Sequence, residues 1–184
     1  MELWDLYDKE RRKLGLTMKR GDRVPDGMYH LVVFLCLFNS SGEMLIQRRQ
    51  TFKEGWSGMW DVTVGGSAVA GDTSAMAIER ELYEELGIKL SFENKRPVLT
   101  SHFDDGFGDL YVEEADISLS SLTLQESEVM DAKWATREEI MAMIDDGSFI
   151  PYAKCFIDLI YHFRTGRSLR TERDHTKINR VNSK

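Results

Sequence analysis

The chain is poor in the residue types that mark proteins outside the ordinary globular class. Its 184 residues include 2 cysteines, 3 prolines and 14 glycines. Cys36 and Cys155 lie far apart in apolar surroundings, with no CxxC and no metal-like spacing. This excludes a disulfide scaffold or zinc site and predicts two buried free thiols. So few prolines and glycines, without a low-complexity tract, exclude collagen-like and linker-like chains. Long hydrophobic runs are missing too. The longest, Leu31 to Phe38, spans eight residues, too short to cross a bilayer as a helix. The opening MELWDLYDKE lacks the basic-then-apolar order of a secretory signal. A cytoplasmic location with no membrane partner is expected.

Positive charge is scarce, and what there is lies mostly at one end. The chain carries 24 Lys and Arg against 31 Asp and Glu, a net charge of −7. From Arg164 onward seven basic residues face two acids, so the body through Phe163 carries 17 basic and 29 acidic residues, a balance of −12. Binding a nucleic-acid polymer rests on neutralising phosphates with a basic surface, and an acidic body argues against it. The basic segment 166–184 is expected to be a solvated, flexible tail.

What is present is a folding composition: 42% apolar and 30% charged residues in a length suited to one domain. LWDLYD predicts a short strand able to pair within the chain or across two chains, so a homodimer stays open. RGDRVPDG predicts a loop, closing an N-terminal strand and loop over 1–28. HLVVFLCLFN predicts a strand buried on both faces, with MLIQR as its hairpin partner. MWDVTVGG, LYVEEADISL and EVMDAKWA predict further strands. GDTSAMAIERELYEELGI has helical period, with Asp72 or Thr73 as N-cap and Gly87 just past its end. Thr136 and Glu139 form a capping box opening a helix that stops at Gly147. Pro151 predicts the first turn of a last helix packing Phe156, Ile157 and Ile160 inward. Strands and helices mix irregularly, predicting an α/β sandwich.

The helix after Gly71 is the informative segment. At 100° per residue, Ala75, Ile78, Leu82 and Leu86 fall within about 80° of one another, and Glu81, Glu84 and Glu85 fall within a separate arc of about 100°. Two such carboxylates about 6 Å apart repel by roughly 3 kcal/mol at an effective dielectric near 20. A hard divalent cation would relieve that repulsion. A solvated acidic face is the plain alternative for an isolated pattern of this kind.

The spacing is more specific than that. Gly66, five residues, Asp72, seven residues, then Arg80-Glu81-Leu82-Tyr83-Glu84-Glu85-Leu86-Gly87-Ile88 closely resembles the signature of the Nudix (MutT-like) hydrolases, with Asp72 standing where the family has Glu. The resemblance implies a Nudix-type α/β/α sandwich with a mixed sheet over about 29–163. It implies Mg²⁺ or Mn²⁺ bound by Glu81, Glu84 and Glu85, with the Gly65 carbonyl as an added ligand and Arg80 orienting the acids. Asp72, shorter than the family's Glu, is expected to cap the helix. The implied reaction is hydrolysis of a diphosphate linkage in a small-molecule substrate, a nucleoside diphosphate derivative or related organic diphosphate. Metal ions neutralise the phosphate oxygens and activate water, and a carboxylate accepts the proton.

Glu84 and Glu85 on the helix, and Glu126 and Glu128 in LQESEV, are the candidates for that base. Glu113 and Glu114 point to opposite faces of a strand, so at most one could reach the site. Arg48, Arg49 and Lys53 are candidates for the distal phosphate. Tyr29, Phe52, Trp56 and Trp60 are expected around the mouth, where Trp56 is a candidate for stacking on a base.

MYHLVVFLCLFNSSGEMLIQRR and WSGMWDVTVGGS also resemble type I isopentenyl diphosphate isomerases. Those enzymes need a cysteine before the motif glycine and a histidine after it; here the positions hold Gly65 and Ser67. His30 matches another isomerase histidine but is expected to be structural. Isomerase activity is therefore disfavoured, and a binding or regulatory module that has lost catalysis is the remaining alternative.

Overall fold

A computed structural model describes residues 2–166 and 169. The basic segment assigned to a flexible tail lies, beyond Gly166 and apart from Leu169, outside the described residues.

The centre of the molecule is β3 (His30–Phe38), whose apolar run leaves both of its faces buried. Leu31, Val33, Leu35 and Leu37 point into one core, and Cys36 and Phe38 into the other, as the two-residue period of a strand requires. β8 (Gly106–Glu114) lies parallel to β3 along its whole length, and β7 (Leu99–Phe103) pairs antiparallel with β8. On the other side of β3 runs β6 (Val64–Ser67), antiparallel. The sheet is thus mixed, as expected.

The expected hairpin between β3 and β4 (Met44–Arg49) survives only at its turn, where Phe38 faces Met44. β4 then diverges to pair with β9 (Val129–Ala135) on one side and with β5 (Trp60–Asp61) on the other. Thr63, between β5 and β6, fills the fork. Its hydroxyl accepts from the Leu37 amide at 2.8 Å and donates to the Leu45 carbonyl at 2.6 Å. The backbone groups that the divergence would orphan are thereby paired.

Helix α1 (Ser74–Leu86) covers one face. Thr73 caps it, accepting from the Met76 amide, and Gly87 ends it at φ 73°, the left-handed conformation glycine adopts freely. Its Ile78, Leu82 and Leu86 are fully buried. The other face is covered by α2 (Arg137–Asp145), with the expected capping box, and α3 (Lys154–Thr165). Pro151 precedes α3 rather than occupying its first turn, and Ala153 is the N-cap. Cys36 is buried, but Cys155 is exposed, contrary to expectation. It sits in the first turn of α3, before the helix reaches the core. Among the described residues no helix is long and apolar enough to cross a membrane.

Two strands escape the sequence pattern. β2 (Lys13–Lys19) is exposed at all but one position and contains Gly15; β7 is mostly exposed and polar. β2 pairs with β1 (Leu3–Tyr7), so LWDLYD is satisfied within the chain. This separate two-stranded sheet is tied to the body by the Ala70 amide donating to the Leu3 carbonyl at 2.7 Å, by Lys13 on the Asp72 carbonyl at 3.0 Å, and by a bidentate Arg11–Asp109 pair.

Candidate active site

The acids of α1 open onto a cleft of about 800 Å³. Its walls come from five places: Glu2 and Arg20 on the N-terminal hairpin, Arg49 at the end of β4 with Phe52, Lys53 and Glu54 following it, Gly65 on β6, the residues of α1, and Gln125, Ser127 and Glu128 before β9. Phe52 and Gly65 alone among these have no polar side chain.

Arg80 organises the ridge. It donates to Glu81 at 2.9 Å, to Glu84 at 3.2 Å and to Asp72 at 3.2 Å, and it reaches the Ser67 carbonyl at 3.0 Å. A planar guanidinium suits such a set of acceptors. Asp72 is not the helix cap that its short side chain suggested. Thr73 takes that role, while Asp72 accepts from the Val69 amide and from Arg80. Removed by one residue from the helix start, it faces back along the loop.

Glu85 differs from its neighbours in being buried, 6% exposed. Gln47 of β4 donates its amide to it at 3.0 Å, and the other Gln47 side-chain atom, Oε1, is buried without a partner. Burial, with the added repulsion of Glu81, Glu128 and Asp61, pushes the Glu85 carboxyl well above its ordinary range, with Arg49 pulling the other way. Glu81 is also raised by burial, only partly offset by Arg80. Arg49 reaches into the same region from β4, its Nε buried and unpartnered.

The anionic donor type, the burial of Glu85 and the unpaired Gln47 Oε1 fit a hard cation here. Gly66 adds to that fit: a Cβ there would overlap the Glu81 carboxylate. As the side chains stand, however, no three acidic, histidine or cysteine groups among the described residues converge tightly enough to hold an ion. Glu81 and Glu84 are spent on Arg80 instead.

The remaining candidates separate by strand alternation and turn geometry. Arg49 faces the cleft, so Arg48 faces away. It donates to the Gly58 carbonyl at 2.9 Å and lies over Trp60, outside the cleft wall. Lys53 lines the cleft and pairs with Glu128 at 2.5 Å. In the turn before β9 the Glu128 amide returns to the Gln125 carbonyl, which puts Gln125 and Glu128 on the wall and leaves Glu126 exposed outside it.

Glu113 and Glu114 lie elsewhere, beside Lys95 and Arg164. The expected aromatic mouth is dispersed. Phe52 lines the cleft, but Trp56 is exposed outside its wall, Trp60 packs beneath Arg48 and Lys133, and Tyr29 packs on Phe107. His30 is buried and stacked on Trp4 at 4.4 Å, consistent with a structural role. Sequence reasoning missed Glu2, Arg20, Gln47 and Gln125. The first two come from an element with no motif, and the glutamines carry no charge signal.

Sheet, flanking helices and acid ridge together define a Nudix domain. The family model for the NUDIX domain matches residues 28–153, and the chain belongs to that family as a Nudix hydrolase. It is 42% identical over 169 residues to an uncharacterized Nudix hydrolase of Listeria monocytogenes, covering 92% of this chain and 99% of that one. It is also 29% identical over 136 residues to the isopentenyl-diphosphate Δ-isomerase of Escherichia coli, covering 71% and 75%. A crystal structure from Deinococcus radiodurans shares the fold with a TM-score of 0.67 at 24% identity, covering 88% of this chain and 98% of that one.

Proposed function

We propose that this chain hydrolyses a diphosphate linkage in a nucleoside diphosphate derivative or related organic diphosphate, using Mg²⁺ or Mn²⁺. The carrying observation is the pair Glu85 and Arg49: a buried carboxylate and a buried, unpaired guanidinium nitrogen at the floor of a polar cleft. Glu81, Glu84 and Glu85, with the Gly65 carbonyl, would hold the ion. When bound, it neutralises phosphate oxygens and activates water.

The chain's own residues supply the rest. Arg80 keeps the acids on one ridge. Arg49 and Lys53 receive phosphate oxygens, and a phosphate on Lys53 releases Glu128 to accept the proton from water. Glu128 suits that task better than Glu126, which stands outside the wall. The organic moiety is polar, because Phe52 is the sole apolar side chain among the described residues that line the cleft. The reading places this work in the cytoplasm; among the described residues no helix is long and apolar enough to cross a membrane.

The isomerase reading has less support. The chain has Gly65 and Ser67 where that chemistry needs cysteine and histidine, and a Cβ at Gly65 would meet the Phe34 ring at 2.9 Å. Neither Cys36 nor Cys155 lines the cleft, and of the described residues that do, Phe52 alone offers an apolar side chain to a hydrocarbon tail.

The test is a Mg²⁺ screen of nucleotide sugars, nucleoside triphosphates, ADP-ribose and dinucleotides. Turnover abolished by the double change Glu84→Gln and Glu85→Gln supports the reading. Turnover that survives it places the chemistry elsewhere, and ligand binding with no turnover favours a binding module.

A further inference from the structure

One wall of the cleft belongs to no family motif. The open end of the β1–β2 hairpin precedes the matched segment 28–153, yet it carries Glu2 and Arg20 into the cleft. The two side chains meet at 2.9 Å, and the backbone joins them, the Arg20 amide donating to the Glu2 carbonyl at 3.1 Å.

Glu2 is itself held. Its second oxygen accepts from the Trp4 indole at 3.0 Å, and Trp4 is stacked on the buried His30 ring at 4.4 Å and 7° between planes. Both Glu2 oxygens are thus occupied, and the guanidinium is oriented by a supported chain of contacts. A guanidinium has five N–H donors, and Glu2 takes one of them. Glu128 and Glu81 add their fields to that of Glu2 at Arg20, and Glu128 is also the partner of Lys53.

The other cations of the cleft have different work. Arg80 is spent on the ridge acids, and Arg49 faces Glu85. Arg49 and Lys53 are assigned above to phosphate oxygens, whereas Arg20 lines the cleft from the hairpin with donors that Glu2 does not take. We propose that Arg20 is a specificity-determining residue that receives an oxyanion carried by the substrate in addition to its scissile diphosphate. The preferred substrates are organic diphosphates bearing a further phosphomonoester or a carboxylate. The inference rests on the diphosphate-hydrolase reading above and deepens it.

The experiment compares matched diphosphates in Mg²⁺. NADPH against NADH differs by one phosphomonoester, and UDP-glucuronate against UDP-glucose by one carboxylate. A charge-assisted pair of this kind corresponds to about 10- to 100-fold in affinity. The wild-type chain should prefer the more anionic member of at least one pair by about tenfold in kcat/KM, and which pair shows it identifies the oxyanion. Arg20→Gln should reduce that ratio to within about twofold, and Arg20→Lys should restore part of it. A purely structural role would lower both members alike and leave the ratio unchanged, which would overturn the proposal, as would the absence of any preference in the wild type.

Should the wild type turn over neither pair, the diphosphate-hydrolase reading is in question, and calorimetric titration of the metal-free full chain with inorganic tripolyphosphate judges Arg20 separately. Binding roughly tenfold weaker in Arg20→Gln supports the assignment. Equal binding, or none by the wild type, refutes it.

Discussion

Gln47 donates its amide to Glu85 at 3.0 Å, joining the central sheet to α1 through a buried hydrogen bond. Among the described residues Gln47 is the side chain that donates to this carboxylate, which is 6% exposed. Replacing Gln47 with Leu leaves the carboxylate desolvated and unpaired, which costs on the order of 1–3 kcal/mol. Urea unfolding without metal should show that loss. Saturating Mg²⁺ should shrink it, because an ion held in the folded state alone stabilises by mass action.

Glu85→Gln should behave in the opposite way. It removes a buried charge that faces Glu81, Glu128 and Asp61, so the metal-free variant should be more stable than the wild type, by about 1 kcal/mol. Turnover should fall at least about 100-fold, and Mg²⁺ should no longer raise the unfolding midpoint. Differential scanning calorimetry with and without Mg²⁺ checks both stability statements. A wild-type midpoint insensitive to the ion would count against a metal on this ridge.

Arg80→Lys keeps the charge but loses the fork that reaches Asp72, Glu81, Glu84 and the Ser67 carbonyl together. A compact ammonium cannot match that set. We expect kcat/KM to fall about 10- to 100-fold with a modest loss of stability. Full activity in Arg80→Lys would mean that the acids hold their places unaided.

At Gly66 the argument is steric. A methyl group there would overlap the Glu81 carboxylate, so Gly66→Ala should swing Glu81 away from Arg80. The expected signature is weakened Mg²⁺ affinity, about tenfold, with far-ultraviolet dichroism unchanged.

Acid stability should report the hairpin anchor. Burial alone would raise the Asp109 carboxyl, but hydrogen bonds from Arg11, Ser74 and Thr100 outweigh it and hold its pKa below the ordinary value. The unfolded chain then binds a proton at higher pH than the folded chain does. The stabilisation is present above the ordinary Asp pKa, near 3.9, and is lost as pH falls through the depressed folded value. Arg11 is about one-third exposed, so Asp109→Asn should cost about 2–3 kcal/mol at neutral pH rather than more. Below pH 4 the difference should narrow. Unfolding curves between pH 3 and 7 measure it, and a constant difference would refute the assignment.

Much was legible in residue order, for identifiable reasons. The apolar run of β3, the stripe of Ile78, Leu82 and Leu86, the cap at Thr136 and the stop at Gly87 are local patterns with local causes. So is the ridge of Glu81, Glu84 and Glu85, because helix pitch alone brings them to one side. Alternation could have separated Arg48 from Arg49 had the face of β4 been known.

The rest depended on relations between distant segments. β2 and β7 carry too little apolar pattern to announce themselves, being exposed strands defined by their partners. Asp72 lost the cap to Thr73 by a single residue and gained Arg80. The helix and its acids were thus determined by sequence alone, since each neighbour lies within two turns. Only the tertiary structure decided which charges share the cleft: Gln47 against Glu85, Lys53 against Glu128, and Arg20 brought in by a hairpin that no periodicity connects to the ridge. Burial and long-range pairing set those contacts, and neither is encoded in the spacing of neighbouring residues.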